Sequence, residues 1–146
     1  MKSKYFLLIP FFILFITFCK KPRSGNYVYE ESGVKSTYLK EGATAYTLTD
    51  KGNINSSVDA RLKNKSNSTL YIDNVPWDIN GDSVTNRNNS TTPQGTGSTL
   101  KSYYSYRGII TGKKSIEGVF SRIQVYTSYT NVRVDSASGT FKYHKK

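Results

Sequence analysis

Short runs in which apolar and polar residues alternate, separated by turn residues, constrain the fold of this 146-residue chain more than any other feature. In residues 57–63, SVDARLK, the side chains of Val58, Ala60 and Leu62 fall on one face of an extended chain and charged residues fall on the other. This period of two is typical of a half-buried β-strand, because successive side chains of a strand point to opposite faces. The pattern therefore predicts pleated strands.

Two later stretches alternate in the same way, and their aliphatic faces carry Val119, Ile123, Val125, Val132 and Val134. The opposite faces carry the polar residues Arg122, Gln124, Arg133 and Asp135. Further candidate strands are residues 26–30, 34–40, 43–49, 69–73, 100–111 and 140–144. Turn signals separate the candidates at ESG, KEG, DKGN, NGDS, TGKK and SASG, where Gly, Asn and Asp tolerate the positive φ of tight turns.

The composition agrees with a chain of strands, since 12 Tyr and 7 Phe accompany many Thr and Ser residues and no helical period is found beyond the N-terminal segment. We expect an all-β domain over residues 26–146, a single antiparallel meander of about eight strands that forms a small barrel or sandwich. Residues 82–99, DSVTNRNNSTTPQGTGST, contain no aliphatic residue except Val84. Because such a segment buries little, we expect a long, polar, mobile loop there.

The N-terminal residues have the form of an export signal. Lys2 and Lys4 precede a stretch of fourteen uncharged, mainly apolar residues, 5–18. A membrane-spanning helix needs about 20 apolar residues, whereas the apolar region of a signal peptide takes about 7 to 15. Residues 1–18 are therefore predicted to be a signal helix that directs export.

The only cysteine, Cys19, follows this apolar stretch directly, and the tetrapeptide Ile16-Thr17-Phe18-Cys19 resembles the lipobox of bacterial lipoproteins. Phe18 stands where that family usually has Gly, Ala or Ser, so the resemblance is to the looser boxes found in spirochaetes. It implies lipidation of Cys19, a tether over residues 19–25 and, because Lys20 follows the cysteine, sorting to the outer membrane. A signal peptide cut near residue 18, with an incidental cysteine, and an uncleaved anchor are the alternatives.

Residues with catalytic or metal-binding chemistry are scarce. The single histidine, His144, lies three residues from the end and Cys19 lies outside the domain, so neither a nucleophilic triad nor a zinc site is expected. Asp78, Asn80 and Asp82 have the spacing of a calcium loop, but the glycine and glutamate that such a loop needs are missing, and a tight turn at Asn80-Gly81 explains them. We expect no enzymatic activity and no cofactor.

A formal net charge of +11 predicts attraction to anionic surfaces. Residues 100–108, LKSYYSYRG, combine basic and aromatic side chains, and in a strand Tyr104 and Tyr106 lie on one face while Tyr103 lies on the other. The candidate ligand-binding residues are Trp77, Tyr103, Tyr104, Tyr106 and Arg107, although a single tryptophan is more often part of the core. An exported chain is not expected to meet nucleic acid.

Two functions follow from these features. The first is a lipid-anchored envelope or surface lipoprotein whose non-catalytic β-domain has a binding or structural role, with the membrane, and anionic envelope or host polymers, as candidate partners. The second is a carrier of a small apolar ligand inside a barrel lined by Tyr, Phe and Trp77, or a freely secreted binding protein. The sequence leaves the ligand and the membrane leaflet open.

Overall fold

The computed structural model describes residues 21–146, which form eight antiparallel strands in a single sheet. The strands are β1 (Gly25–Glu41), β2 (Thr47–Asn64), β3 (Thr69–Ile72), β4 (Val75–Asn80), β5 (Ser83–Pro93), β6 (Thr99–Gly112), β7 (Ser115–Thr127) and β8 (Asn131–Lys145). Each strand pairs with the next and β8 pairs with β1, so the sheet closes into a barrel. The predicted all-β antiparallel meander of eight strands is confirmed.

The predicted signal helix, residues 1–18, and Cys19 lie outside the described residues. Residues 21–146 contain no apolar helix of membrane-spanning length.

The barrel wall is uneven because β3 and β4 have only four and six residues. They pair with residues 62–64 of β2 and residues 83–85 of β5. Beyond these pairs, residues 47–61 of β2 and 86–93 of β5 each have one edge that no strand of the described chain covers. We call this gap the slot, and its floor is the β3–β4 turn, where Asp73 and Asn74 both have positive φ.

One half of the barrel interior is a packed apolar core. It consists of Tyr27, Ala60, Leu62, Leu70, Ile72, Trp77, Ile79, Val84, Ile110, Ile116, Phe120, Phe141 and Tyr143. The indole of Trp77 is 4% exposed and lies 5.8 Å from the ring of Phe141 and 6.1 Å from that of Tyr143, both edge-on. The expectation that Trp77 belongs to the core is confirmed.

Three of the predicted turns lie inside strands. The segments ESG, DKGN and SASG are interior parts of β1, β2 and β8, whereas KEG, NGDS and TGKK contain or adjoin real turns. Gly33 of ESG pairs with Gly139 of SASG, and a Cβ on Gly139 would lie 2.6 Å from the Cα of Gly33. These glycines are needed because two strands approach closely, and not because the chain reverses there.

The long loop predicted over residues 82–99 is wrong for most of its length. Residues 83–93 form β5, which pairs with β6 from Ser83↔Ile109 to Pro93↔Thr99, and residues 94–98 form the connecting turn. Residues 87–93 are exposed, so this part of β5 depends on backbone hydrogen bonds to β6 and needs no burial of its own side chains. The polar composition correctly indicated that most of these side chains are not buried. It did not mean that the segment lacks strand structure.

The chain enters the barrel at the end that carries the apolar core. The amide of Arg23 donates to the carbonyl of Lys113 at 2.9 Å, and the amide of Lys145 donates to the carbonyl of Lys114 at 2.9 Å. We call this the tether end. The turns 42–46, 94–98 and 128–130 lie at the other end, the far end, where the amide of Gly42 donates to the carbonyl of Thr130 at 2.7 Å.

Candidate functional site

The barrel interior changes from apolar to polar along β7. Ile116 and Phe120 face inward and are buried in the core, and the next inward residues of the strand are Arg122 and Gln124. Val119, on the opposite face, is 56% exposed. The alternation predicted for residues 119–126 is confirmed, but its polar face points into the barrel and its aliphatic face points to solvent.

The same reversal occurs in β1 and β8. In β8, Phe141 and Tyr143 face the core, and farther along the same face lie Asp135 and Arg133. In β1, Tyr27 faces the core, and the first inward side chains beyond Gly33, Lys35 and Thr37, are polar. The far half of the barrel is therefore lined mainly with polar groups.

Glu31 forms the boundary between the two halves. Its side chain is 3% exposed, and it accepts hydrogen bonds from the Tyr29 hydroxyl and from Nη2 of Arg122. The guanidinium carbon of Arg122 lies 4.8 Å from the centre of the Phe120 ring, in a cation–π arrangement. The Glu31–Arg122 ion pair therefore packs against the aromatic core and lies between the core and the polar half of the barrel.

The tyrosines beside this pair are held in their neutral form. Burial raises the pKa of Tyr29, and the hydrogen bond to Glu31 raises it further. Burial also raises the pKa of Tyr106 and of Tyr143. Because its proton is retained, the Tyr29 hydroxyl acts as a donor to the Glu31 carboxylate across the physiological pH range.

A cavity of about 430 Å³ lies in the polar half of the barrel. Its lining comprises Lys35, Ser36, Thr37, Asp50, Ile54, Tyr104, Arg122, Gln124, Arg133, Asp135, Ser136 and Ala137. Within it, Nε2 of Gln124 donates to the Tyr104 hydroxyl at 3.0 Å, and the Thr37 hydroxyl donates to Oδ1 of Asp135 at 2.7 Å. Two of its lining residues belong to β2 at the slot, so the cavity lies where the wall is incomplete.

This volume falls within the range of about 300 to 1,000 Å³ that small-molecule sites occupy. The lining offers cationic donors, carboxylate acceptors and a phenol, with two aliphatic side chains, Ile54 and Ala137. Such a mixture suits a small polar molecule that itself carries both donors and acceptors.

The five candidate ligand-binding residues do not come together. Tyr104 lines the cavity, Tyr106 packs 5.4 Å from the Trp77 ring in the aromatic cluster, and Trp77 is in the core. Tyr103 and Arg107 face outward, as the predicted alternation of Tyr103 against Tyr104 requires. Only Tyr104 therefore belongs to the cavity.

Sequence reasoning missed Glu31, Arg122 and Gln124 as inward-facing residues. The available signal is a change of phase, because the inward apolar residues Ile116 and Phe120 of β7 occupy even positions, whereas the aliphatic residues after Phe120, Ile123 and Val125, occupy odd positions. A strand that keeps its pairing while its apolar residues change parity must turn a polar face inward. The change of parity comes after Phe120.

A wider depression of about 650 Å³ lies on the outside of the barrel, bordered by Glu30, Glu117 and Lys142. Nζ of Lys142 lies 3.0 Å from Oε1 of Glu117, and the hydrogen bond from Lys142 lowers the pKa of Glu117. The charged groups there pair with each other on an open surface. We therefore place the candidate site in the interior cavity.

The part of the chain that the structure describes has no group of three or more His, Cys, Asp or Glu residues placed to hold a metal ion. No protein-family model, curated protein or solved structure matches this chain significantly.

Proposed function

We propose that this chain is a lipid-anchored envelope protein whose non-catalytic β-barrel binds a small polar molecule at its far end. The observation that supports this most directly is the cavity of about 430 Å³ lined by inward-facing polar side chains. A barrel that served only as a structural spacer would gain stability from an apolar interior throughout, because buried polar groups lose hydration.

A polar ligand is favoured over an apolar one by the contents of the core. The rings of Tyr29, Trp77, Tyr106, Phe141 and Tyr143 contact one another across the apolar half of the barrel. Centroid distances of 4.8 to 5.8 Å are those of packed aromatic pairs. The chain's own rings thus occupy the place where an apolar carrier would hold its ligand.

The position of the tether end supports anchoring through Cys19. Lys21, only two residues beyond Cys19, lies beside Asn67 of the β2–β3 turn at the tether end. An acyl chain on Cys19 would therefore hold this end near the bilayer and leave the cavity facing away from it. The outer membrane is the proposed location, and anionic envelope or host polymers are the proposed macromolecular partners.

The anchor is tested by the intact mass of protein extracted from membranes. We expect a mature chain that begins at Cys19 and carries a diacylglyceryl group, and we expect the Cys19→Ala variant to lose this mass and to leave the membrane fraction. Each buried methylene contributes about 0.8 kcal/mol, so two or three acyl chains hold a protein nearly permanently. A mass that shows cleavage elsewhere, with no lipid, would contradict the anchor and favour a freely secreted binding protein.

Ligand binding is tested with alanine variants of two adjacent tyrosines, Tyr104 and Tyr103. Monosaccharides, disaccharides and amino acids serve as probes in a thermal-unfolding screen, and the best of them is then titrated by calorimetry. Tyr104→Ala is expected to weaken its binding at least tenfold, which is about 1.4 kcal/mol. Tyr103→Ala, which removes the neighbouring ring from the outer face, is the matched control and should bind as tightly as the unaltered chain. Equal affinities for both variants would place the ligand outside the cavity.

A further inference from the structure

The net charge of the barrel is concentrated at its tether end. Residues 21–24, 63–65, 113–114 and 145–146 carry eight Lys and Arg side chains. The turns at the far end, residues 42–46, 94–98 and 128–130, contain no Lys, Arg, Asp or Glu. The positive electrostatic potential of the domain is therefore strongest at the tether end of the barrel.

Hydrogen bonds join these basic segments into one surface. The backbone of Arg23 bonds to the β6–β7 turn at Lys113, and the backbone of Lys145 bonds to the same turn at Lys114. The amide of Asn64, next to Lys63, donates to the Ser24 hydroxyl at 2.9 Å. We call the four segments together the basic end.

Few acidic groups offset the basic end. Nζ of Lys146 lies 2.6 Å from Oδ1 of Asp59, and Asp82 lies in the β4–β5 turn. The side chains of Lys63, Lys65, Lys113 and Lys114 are exposed. Most of the positive charge is therefore available to an external anion.

We propose that the basic end docks on the anionic lipid headgroups of the membrane that holds the protein. The direction in which the domain faces rests on the proposed anchor at Cys19, but the electrostatic attraction does not. Two residues of extended chain span at most about 7 Å. This is less than the Debye length of about 8 Å at physiological ionic strength, so an anchored Cys19 keeps the basic end within reach of headgroup charges. Lysines so placed each favour an anionic surface.

Lysine labelling of the full chain on vesicles tests the docking. The protein is reconstituted into vesicles of phosphatidylcholine and into an equal mixture of phosphatidylcholine and phosphatidylglycerol. A membrane-impermeant acetylating reagent is then added, and the labelling rate of each lysine is measured by mass spectrometry. We expect Lys113 and Lys114 to be labelled severalfold more slowly on the anionic vesicles. Lys51 and Lys101, which lie away from the basic end, should react at the same rate on both.

At about 1 M salt, where the Debye length falls to about 3 Å, the protection should disappear. The double variant Lys113→Glu/Lys114→Glu should also lose the protection of Lys63 and Lys65, whereas Lys51→Glu/Lys101→Glu should keep it. Equal labelling rates on the two kinds of vesicle would overturn the docking surface. If the mass shows no lipid on Cys19 but the lysines are protected, the docking surface is supported and the anchor is refuted. If Cys19 carries lipid but the lysines are not protected, the anchor is supported and the docking surface is refuted.

Discussion

Replacing Gly118 with alanine is expected to cost about 3 kcal/mol or more of the free energy of unfolding, a large part of the stability of a domain this size. Gly118 of β7 pairs with Gly108 of β6, and an added Cβ would overlap the carbonyl oxygen of Arg107 and lie 2.5 Å from the Cα of Gly108. Both obstacles are backbone atoms, so no side chain can rotate away. Urea denaturation followed by the fluorescence of Trp77, the only tryptophan, measures the loss.

Gly52→Ala is the matched control, because Gly52 also lies within a strand, although DKGN was predicted from the sequence to be a turn. Its added Cβ would meet only the Cε of the Lys35 side chain, at 3.0 Å, and a lysine side chain can move. We expect a change within about 0.5 kcal/mol. Equal stabilities of the two variants would show that β6 and β7 do not approach closely at Gly118.

These glycines explain which parts of the fold the sequence could predict. Alternation is a local property, so residues 57–63 and 119–126 were identified as strands from their own side chains. A glycine has no such local meaning, since it serves equally well in a turn, as Gly81 does, or where two backbones meet, as Gly139 does. Long strands were therefore divided at Gly33, Gly52 and Gly139.

The number of strands was right partly because errors offset one another. The division of β1, β2 and β8 added strands to the sequence-based count, while β4 and β5 were missed. Residues 87–93 of β5 have exposed side chains on both faces, so their strand structure depends on the neighbouring β6 and leaves no pattern of burial in the sequence. Pairing with a neighbouring strand cannot be inferred from the side chains of one segment.

The candidate site was less predictable than the fold. Tyr104 was identified because an aromatic residue among basic ones suggests binding. Arg122 was assigned to a polar face that was expected to meet solvent, and its partner Glu31 lies 91 residues away in the chain. The barrel's closure brings the two together, and no local pattern reports it. The parity change beyond Phe120 is the one sequence signal that could have indicated a polar interior.

The polar half of the barrel and the basic end lie at opposite ends of the domain. Charge that could attract an anionic surface lies at the tether end, and the cavity lies in the half that points away from it. The aromatic core lies between the basic end and the cavity and holds both in position. A ligand in the cavity and a membrane at the basic end would therefore occupy the protein at the same time without competing.

Removal of the positive charge at Arg122 should have the second large effect on stability. Arg122→Met keeps an unbranched apolar stem but removes the guanidinium, which leaves the Glu31 carboxylate, 3% exposed, without its cationic partner. Breaking a buried ion pair by removing one partner typically costs about 3 to 5 kcal/mol, and we expect the lower end because Arg122 is itself 31% exposed. Urea denaturation at neutral pH measures the loss.

Two further variants separate an uncompensated charge from lost packing. Arg122→Met combined with Glu31→Gln removes both charges, and it should recover most of the stability because a neutral amide needs no cationic partner. Arg133→Met is the matched control. Nε of Arg133 lies 3.0 Å from Oδ2 of Asp135, but those side chains are 56% and 36% exposed, so its loss should cost no more than about 1 kcal/mol. Equal losses for Arg122→Met and Arg133→Met, or no recovery in the double variant, would show that the Glu31–Arg122 pair is not the buried charge pair between core and cavity.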